Sequence, residues 1–459
     1  MSGAGERRAR LEALDDAHLW HPFTPMSVYR EEEPLLVEAA EGHELIDVDG
    51  RRYLDGVSSI WCTSFGHGQP RILAAMHAQL DRLQHATLLG HANAPAIELA
   101  ARLAALAPGA LERVFFSDNG STAVEIALKM AFQYQRQCGG GAGSGRRRFL
   151  RIAGAYHGDT LGAVGLGGIG VIHDRFRELT FDALELPHPS PAVRPAGVTE
   201  EDWIAAAFAA VDRVFEEHGP DLAAVVVEPG FQGAGGILVQ PPGWLAHLAE
   251  RARSAGVLVI FDEVAVGIGR SGRLFAAERE GIEPDFLCLA KALTAGYSPL
   301  AATITTERVY RAFLGAPAEG RTFLHGHTFT GHPLGAAAAL ATLDLIRDEG
   351  LIERLERTQA YFAARVRELG EEPGAGEPRI YGLAAGIDLL EDVATRRPHD
   401  PSRRTGIRAA RAARDAGVFL RPLGDTLVLF PPLTIDEAEI DRLVAAARAG
   451  IRAVAGALA

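Results

Sequence analysis

Of the 46 lysines and arginines in this 459-residue chain, only Lys129 and Lys291 are lysines. Arginine keeps its proton and cannot act as an amine nucleophile, whereas lysine can lose its proton and form a Schiff base. Lys291 closes the run Asp285-Phe286-Leu287-Cys288-Leu289-Ala290-Lys291, an apolar stretch of strand length that breaks into a loop containing Gly296. A cation at the end of a buried strand is costly unless it is paired or used, so Lys291 is the candidate nucleophile. Lys129 has an ordinary setting. Glu125 stands four residues upstream in a helical stretch, which predicts an i,i+4 ion pair.

Three more features carry chemistry at strand ends. Val257-Leu258-Val259-Ile260-Phe261 runs into Asp262-Glu263. An apolar strand ending in two acids also describes a Walker B strand. A P-loop, however, requires G-x-x-x-x-G-K-[ST], and neither lysine completes that motif. The other chemistry for such an acid is to pair with the ring nitrogen of pyridoxal phosphate, keeping the ring an electron sink. A Schiff-base lysine one strand later then serves as the base that moves protons. Phe115-Phe116-Ser117-Asp118-Asn119-Gly120-Ser121-Thr122 passes from a strand into a helix whose first N–H groups could cradle a phosphate. Tyr156, in Ala155-Tyr156-His157-Gly158-Asp159, could stack on a planar ring.

Two other motifs lead elsewhere. Gly165-Leu166-Gly167-Gly168-Ile169-Gly170 matches G-x-G-x-x-G but lacks a preceding strand, so it does not predict a dinucleotide site. His325-Gly326-His327 has no third ligand at a recognisable spacing, so no metal is expected.

Strand-length apolar runs lie at 113–117, 149–152, 223–227, 257–261, 286–289 and 300–305, with amphipathic stretches at 94–107, 203–218 and 243–255. The alternation predicts an α/β fold with a mainly parallel sheet flanked by helices, its ligands at the carboxyl ends of the strands. A hairpin around Asp49-Gly50 and a late strand at 426–430 predict a smaller α+β domain built from both chain ends. The expected division is 1–75 and 342–459 for the small domain and 76–341 for the large one. Cys138–Gly145 is expected to be a surface loop. A net charge of −13 argues against a nucleic-acid partner. Absence of a ~20-residue apolar run argues against a membrane span. Three scattered cysteines fit a reducing cytoplasm.

Taken together, Phe261-Asp262-Glu263-Val264, Gly267-Ile268-Gly269-Arg270-Ser271-Gly272, Pro284-Asp285 and Lys291-Ala292-Leu293 resemble the class III, fold-type I pyridoxal-phosphate aminotransferases. Within that class the chain is most similar to the group that makes 7,8-diaminononanoate in biotin synthesis. That similarity rests on His18–Thr24, Ser58-Ser59-Ile60-Trp61, Tyr156–Thr160, Gln232–Gly236, His325–Thr328 and Arg421-Pro422-Leu423-Gly424.

The resemblance implies roles. Lys291 carries the Schiff base and Asp262 pairs with the pyridine nitrogen. Gly120 and Ser121 hold the phosphate, completed by His327 and Thr328 of a partner subunit. Tyr156 and His157 lie at the cofactor face, and Glu228 is an acid near it. Phe23, Ile60, Trp61, Tyr156, Lys291 and Gly326 meet the substrates, and Arg421 holds the carboxylate of 8-amino-7-oxononanoate. A homodimer with a composite site follows. The default amine donor is S-adenosylmethionine. Phe23, Ile60 and His327 stand where that branch carries Tyr, Trp and Pro, and resemble a second branch that uses lysine. Another class III aminotransferase, acting on an ω-amino acid or diamine with a keto acid such as pyruvate, would carry the same cofactor residues.

Overall fold

The computed structural model describes residues 3–138 and 145–455, so most of the Cys138–Gly145 segment lies outside the described residues. Seven strands form the central sheet: β1 (Leu111–Ser117), β2 (Arg148–Ile152), β3 (Leu184–Leu186), β4 (Leu222–Val227), β5 (Leu258–Asp262), β6 (Phe286–Leu289) and β7 (Ala301–Thr306). Their spatial order is β1-β7-β6-β5-β4-β2-β3. Only β7 runs against its neighbours; the other pairings are parallel. All six strands expected from the sequence are present, within two residues at each end.

Both faces of this sheet are covered, which is why its strands are apolar throughout rather than alternating. Ala223, Val226, Leu258, Ile260, Phe286 and Cys288 pack on helix α1 (Gly120–Cys138) through Ala123, Val124 and Ala127. Val225, Val227, Val259, Phe261 and Leu287 join the opposite core with helices α2 (Glu200–His218) and α3 (Trp244–Ser254). The period-two alternation between these two sets is that of a pleated strand buried on each side.

The chain ends meet as expected. Glu44–Asp47 and Arg52–Asp55 form the hairpin around Gly50, and Val418–Phe419 pairs in parallel with Leu54–Asp55. Thr426–Leu429 lies in a second small sheet with Ala384–Asp388 and Arg379–Tyr381. The expected edge at 341/342 falls inside helix α4 (Pro333–Asp348), which crosses it without a break. The Arg/Glu-rich pattern begins with the next helix, Leu351–Arg367.

The Gly165–Gly170 motif is split between a helix at Leu161–Leu166 and a four-residue helix at Gly170–His173. A Cβ on Gly167 or Gly168 would strike His173 or the Gly154 backbone, so these glycines serve close packing. Lys129 departs from its expected pairing. Its Nζ meets His325 Nδ1 at 2.9 Å, while Glu125 accepts from the Thr160 hydroxyl and the Ala163 N–H. The carboxylate is drawn off its own helix by two donors at the next element.

One clasp joins the loop after β5 to the small domain. Buried Arg270 donates to the carbonyls of Leu383 and Pro431 at 2.8 and 2.7 Å, and Leu383 N–H donates back to Arg270 O. Gly382 sits at φ +60, where an added Cβ would collide with the Arg270 carbonyl oxygen. Gly382→Ala therefore combines a left-handed backbone with a steric clash. It should destabilise the protein by roughly 2 kcal/mol or more in urea unfolding; a loss below about 0.5 kcal/mol would mean the clasp yields freely.

Candidate active site

Parallel strands place their carboxyl ends on one edge of the sheet, and the predicted chemistry gathers there. β1 leads into Asp118-Asn119-Gly120-Ser121, β2 into Tyr156 and His157, β4 into Glu228, β5 ends on Asp262, and β6 leads into Lys291. All of these residues line one cavity of about 760 Å³, together with Trp61, Cys62, Asp159 and Thr160.

Asp262 is buried and held on both oxygens. Oδ2 lies 2.7 Å from His157 Nδ1, and Oδ1 accepts the Val264 N–H at 3.0 Å. Burial opposes a charge on His157, but the hydrogen bond and charge of Asp262 outweigh it and hold the imidazole above its ordinary value. Asp262 is thus fixed as an acceptor facing the cavity. Lys291 sits at φ +44, where the chain leaves β6. Burial pushes its amine below the ordinary lysine range, against the pull of Cys62, Asp262 and Glu228. An amine so depressed is a better nucleophile and base near neutral pH. Its Nζ stands 4.7 Å from the centre of the Trp61 ring.

The cradle at the start of α1 is built around small residues. Gly120 and Ser121 are the first residues of the helix, where N–H groups have no intrahelical acceptor. A Cβ on Gly120 would meet Val264, and one on Gly158 would meet Ser121. The Ser121 hydroxyl is set by Thr160, which itself donates to Glu125 at 2.7 Å. Because Thr160 gives its proton to a carboxylate, Ser121 donates to Thr160, and the backbone N–H groups are what the cradle offers an anion. The buried His157 Nε2 has no partner among the described residues. Acid, amine and anion cradle in one cavity fit pyridoxal phosphate. Asp262 would face the ring nitrogen, Lys291 the aldehyde, and Gly120-Ser121 the phosphate.

Tyr156 donates its hydroxyl to Asp159 at 2.7 Å, and burial raises its phenol above the ordinary range. Phe23 approaches Tyr156 edge-on at 6.4 Å between centroids but is largely exposed. Ile60 is also exposed, pointing away while the neighbouring Trp61 turns inward. Arg421 and Thr328 are exposed, and neither lines the cavity. Gly326 lines a separate cavity beside Leu89 and Phe115. His327 Nδ1 lies 2.6 Å from Asp118 Oδ2 of its own chain, at the cradle rim. Sequence reasoning gave no role to Asp159, Cys62 or Thr160. Asp159 and Thr160 lie inside the Tyr156–Thr160 segment already quoted and Cys62 follows Trp61, so their positions were the available signal. Thr160 shows its role only through the fold, 39 positions from Ser121.

A family model for aminotransferase class-III matches residues 26–449. This chain belongs to the class-III aminotransferases. Among its relatives is the adenosylmethionine-8-amino-7-oxononanoate aminotransferase of Nitratidesulfovibrio vulgaris, 49% identical over 98% of this chain and 83% of that one. The Geobacter sulfurreducens protein of the same name is 47% identical over 97% and 98%. Among solved structures, the Methanocaldococcus jannaschii protein of that name superposes with a TM-score of 0.91 at 38% identity, covering 97% of this chain and 99% of that one. An amine transaminase from an uncultivated Pseudomonas species, in its PLP-bound form, gives a TM-score of 0.88 at 36% identity, covering 95% and 98%. The aminotransferase fold and its pyridoxal-phosphate cofactor are thereby those expected.

Glu228 gives the site a pH signature. Burial lifts its carboxyl to about 7, against the pull of His157 and hydrogen bonds from Gly233 and Tyr156 N–H. A folded-state value raised above the ordinary 4.5 favours folding while the group is protonated. That stability is present below about pH 4.5 and is lost as pH rises through about 7. In cofactor-free protein, Glu228→Gln should flatten the fall of Tm across this window. Parallel Tm curves for the two proteins would show that Glu228 ionises without cost.

Proposed function

We propose that this aminotransferase moves an amino group onto the C7 ketone of 8-amino-7-oxononanoate, giving 7,8-diaminononanoate for biotin synthesis, with S-adenosylmethionine as donor. The observation that carries the substrate is the kinship: relatives named for this reaction match at 49% and 47% across nearly the whole chain. The cavity supports it with a complete set of amine, acid and anion-binding groups.

Bound pyridoxal phosphate supplies the electron sink that makes a substrate C–H acidic. The chain's residues do the rest. Asp262, held by His157 and Val264, keeps a proton at the ring nitrogen. Lys291, lowered by burial, takes the proton from the substrate carbon once its amine is free. Tyr156 walls the cavity, its hydroxyl fixed by Asp159, with the Phe23 ring edge-on to it. Arg421 would clamp the acceptor's distal carboxylate. The donor leaves as a carbonyl compound before the acceptor ketone enters the same cavity and receives the nitrogen.

A second reading for the donor is lysine. Phe23 has no hydroxyl and Ile60 no aromatic face, which removes two groups able to hold an adenosyl donor. Kinship to an (S)-enantioselective omega-transaminase from Thermomicrobium roseum, at 34% identity and a TM-score of 0.91, favours testing simple amines too.

We further propose a homodimer in which Gly326, His327 and Thr328 complete the partner's site. Leu324, Leu89 and Phe329 leave apolar surface around that segment, with Leu324 87% exposed. Three unpaired cysteines fit a cytoplasmic location. The domain division proposed is 1–75 with 342–459 against 76–341, its later edge carried by α4.

Two assays test the reading. Purified protein mixed separately with S-adenosylmethionine and with lysine should lose the cofactor's visible band with the true donor. Steady-state turnover should be seen with 8-amino-7-oxononanoate and not with pyruvate; the reverse pattern would overturn the substrate assignment. Lys291→Ala should lack the visible band and lose activity by at least the roughly 100- to 10,000-fold that a positioned base contributes.

A further inference from the structure

Ser58, Ser59, Ile60 and Trp61 have φ values of 48, 44, 63 and 70. Four consecutive residues other than glycine therefore form a left-handed helical turn, closed by Trp61 N–H to Val57 O and Cys62 N–H to Ser58 O, both 2.8 Å. In this hand each Cβ crowds the following carbonyl, so the turn does not persist without support. The support is visible. Ser59 Oγ donates to Asp55 Oδ2 at 2.8 Å, and Ser58 Oγ donates to Phe430 O at 2.7 Å. The Asp55 side chain is wholly buried at the end of its strand, with His67 Nε2 at 3.4 Å.

The turn aims one side chain. Trp61 stacks on Phe430 at 5.1 Å and 27°, rests on Gly233, where a Cβ would lie 2.8 Å from the indole, and presents its face to Lys291 Nζ. A right-handed turn through the same positions would send the indole elsewhere, because successive side chains would rotate in the opposite sense.

We propose that Asp55 is a positioning residue for amino transfer: through Ser59 it locks the left-handed turn that holds the Trp61 indole over Lys291. The inference rests on the reading of this cavity as the transamination site. Asp55 and Ser59 do not themselves line the cavity; they act through Trp61, setting the space a substrate has beside the lysine amine.

The test turns on the difference between alanine and glycine. Ser59→Ala removes the hydroxyl and keeps the Cβ that disfavours the left-handed backbone. Ser59→Gly removes the same hydroxyl but tolerates that backbone. Ser59→Ala and Asp55→Ala should raise KM for 8-amino-7-oxononanoate on the order of ten-fold, with a smaller change in kcat. Ser59→Gly should lie closer to the unmodified enzyme than to Ser59→Ala.

A second readout needs neither cofactor nor substrate. Cys62 directly follows the turn and is partly exposed, whereas Cys288 is buried. In cofactor-free Cys138→Ser protein, iodoacetamide should label Cys62 about ten-fold faster when Ser59→Ala or Asp55→Ala is added, and less so with Ser59→Gly, as a misplaced turn uncovers its neighbour. Equal KM and labelling for the Ala and Gly variants of Ser59 would overturn the proposal. The labelling pattern without turnover of 8-amino-7-oxononanoate would sink the substrate assignment while leaving the lock intact. Should Asp55→Ala fail to fold, the Ser59 pair decides alone.

Discussion

The active site depends on one buried carboxylate being held without a neutralising lysine or arginine. Asp262 ends the central strand β5, where the sheet on both sides excludes water. Its partners are an imidazole and a backbone N–H, at 2.7 and 3.0 Å. A buried carboxylate in direct contact with arginine would have its charge spent on that partner. His157 meets Asp262 through one ring nitrogen, so the carboxylate keeps room to accept from a cofactor ring nitrogen as well. The rest follows the sheet. β4 and β6 flank β5 and deliver Glu228 and Lys291 on either side. β1 brings the helix start that offers N–H groups, and β2 brings Tyr156 and His157.

Around this centre the second domain supplies the walls. The Arg52–Asp55 strand carries the chain into the turn that presents Trp61, and the late strand at Thr426–Leu429 carries it to Phe430 beneath that indole. The buried Arg270 guanidinium lies over the Phe430 ring, 3.8 Å from its centroid, and burial lowers its basicity to about 9. Its clasp to Leu383 and Pro431 fixes the small domain against the loop that follows Asp262. Wall and centre are thus linked by short contacts, and the cavity's shape is set where both chain ends meet the large sheet.

Much of this was legible in the sequence because strands buried on both faces are apolar throughout and end abruptly at polar residues. Lys291 stood out as one of two lysines at the end of such a strand, Asp262 as the acid ending another, and Gly120-Ser121 gained weight from those two; the sheet assembled them in one cavity. Less legible were properties that arise only from packing. Lys129 meets His325 rather than Glu125, since Thr160 and Ala163 offer Glu125 better donors from another element. The position 341/342 lies within α4, whose alanine-rich sequence carries no break signal there. The left-handed turn at Ser58–Trp61 has no glycine to announce it; its support comes from Asp55 and Phe430, one of them 372 residues from Ser58. The resemblance implies roles for Arg421 and Thr328, yet a single chain leaves both exposed.

Most depends on whether Asp262 keeps the cofactor's ring nitrogen protonated. The direct measurement is the ¹⁵N chemical shift of ring-labelled pyridoxal phosphate bound to the protein near neutral pH. The unmodified enzyme should give the shift of a protonated pyridine nitrogen, and Asp262→Asn that of an unprotonated one. An unprotonated nitrogen in the unmodified enzyme, or a protonated one that survives Asp262→Asn, would contradict it.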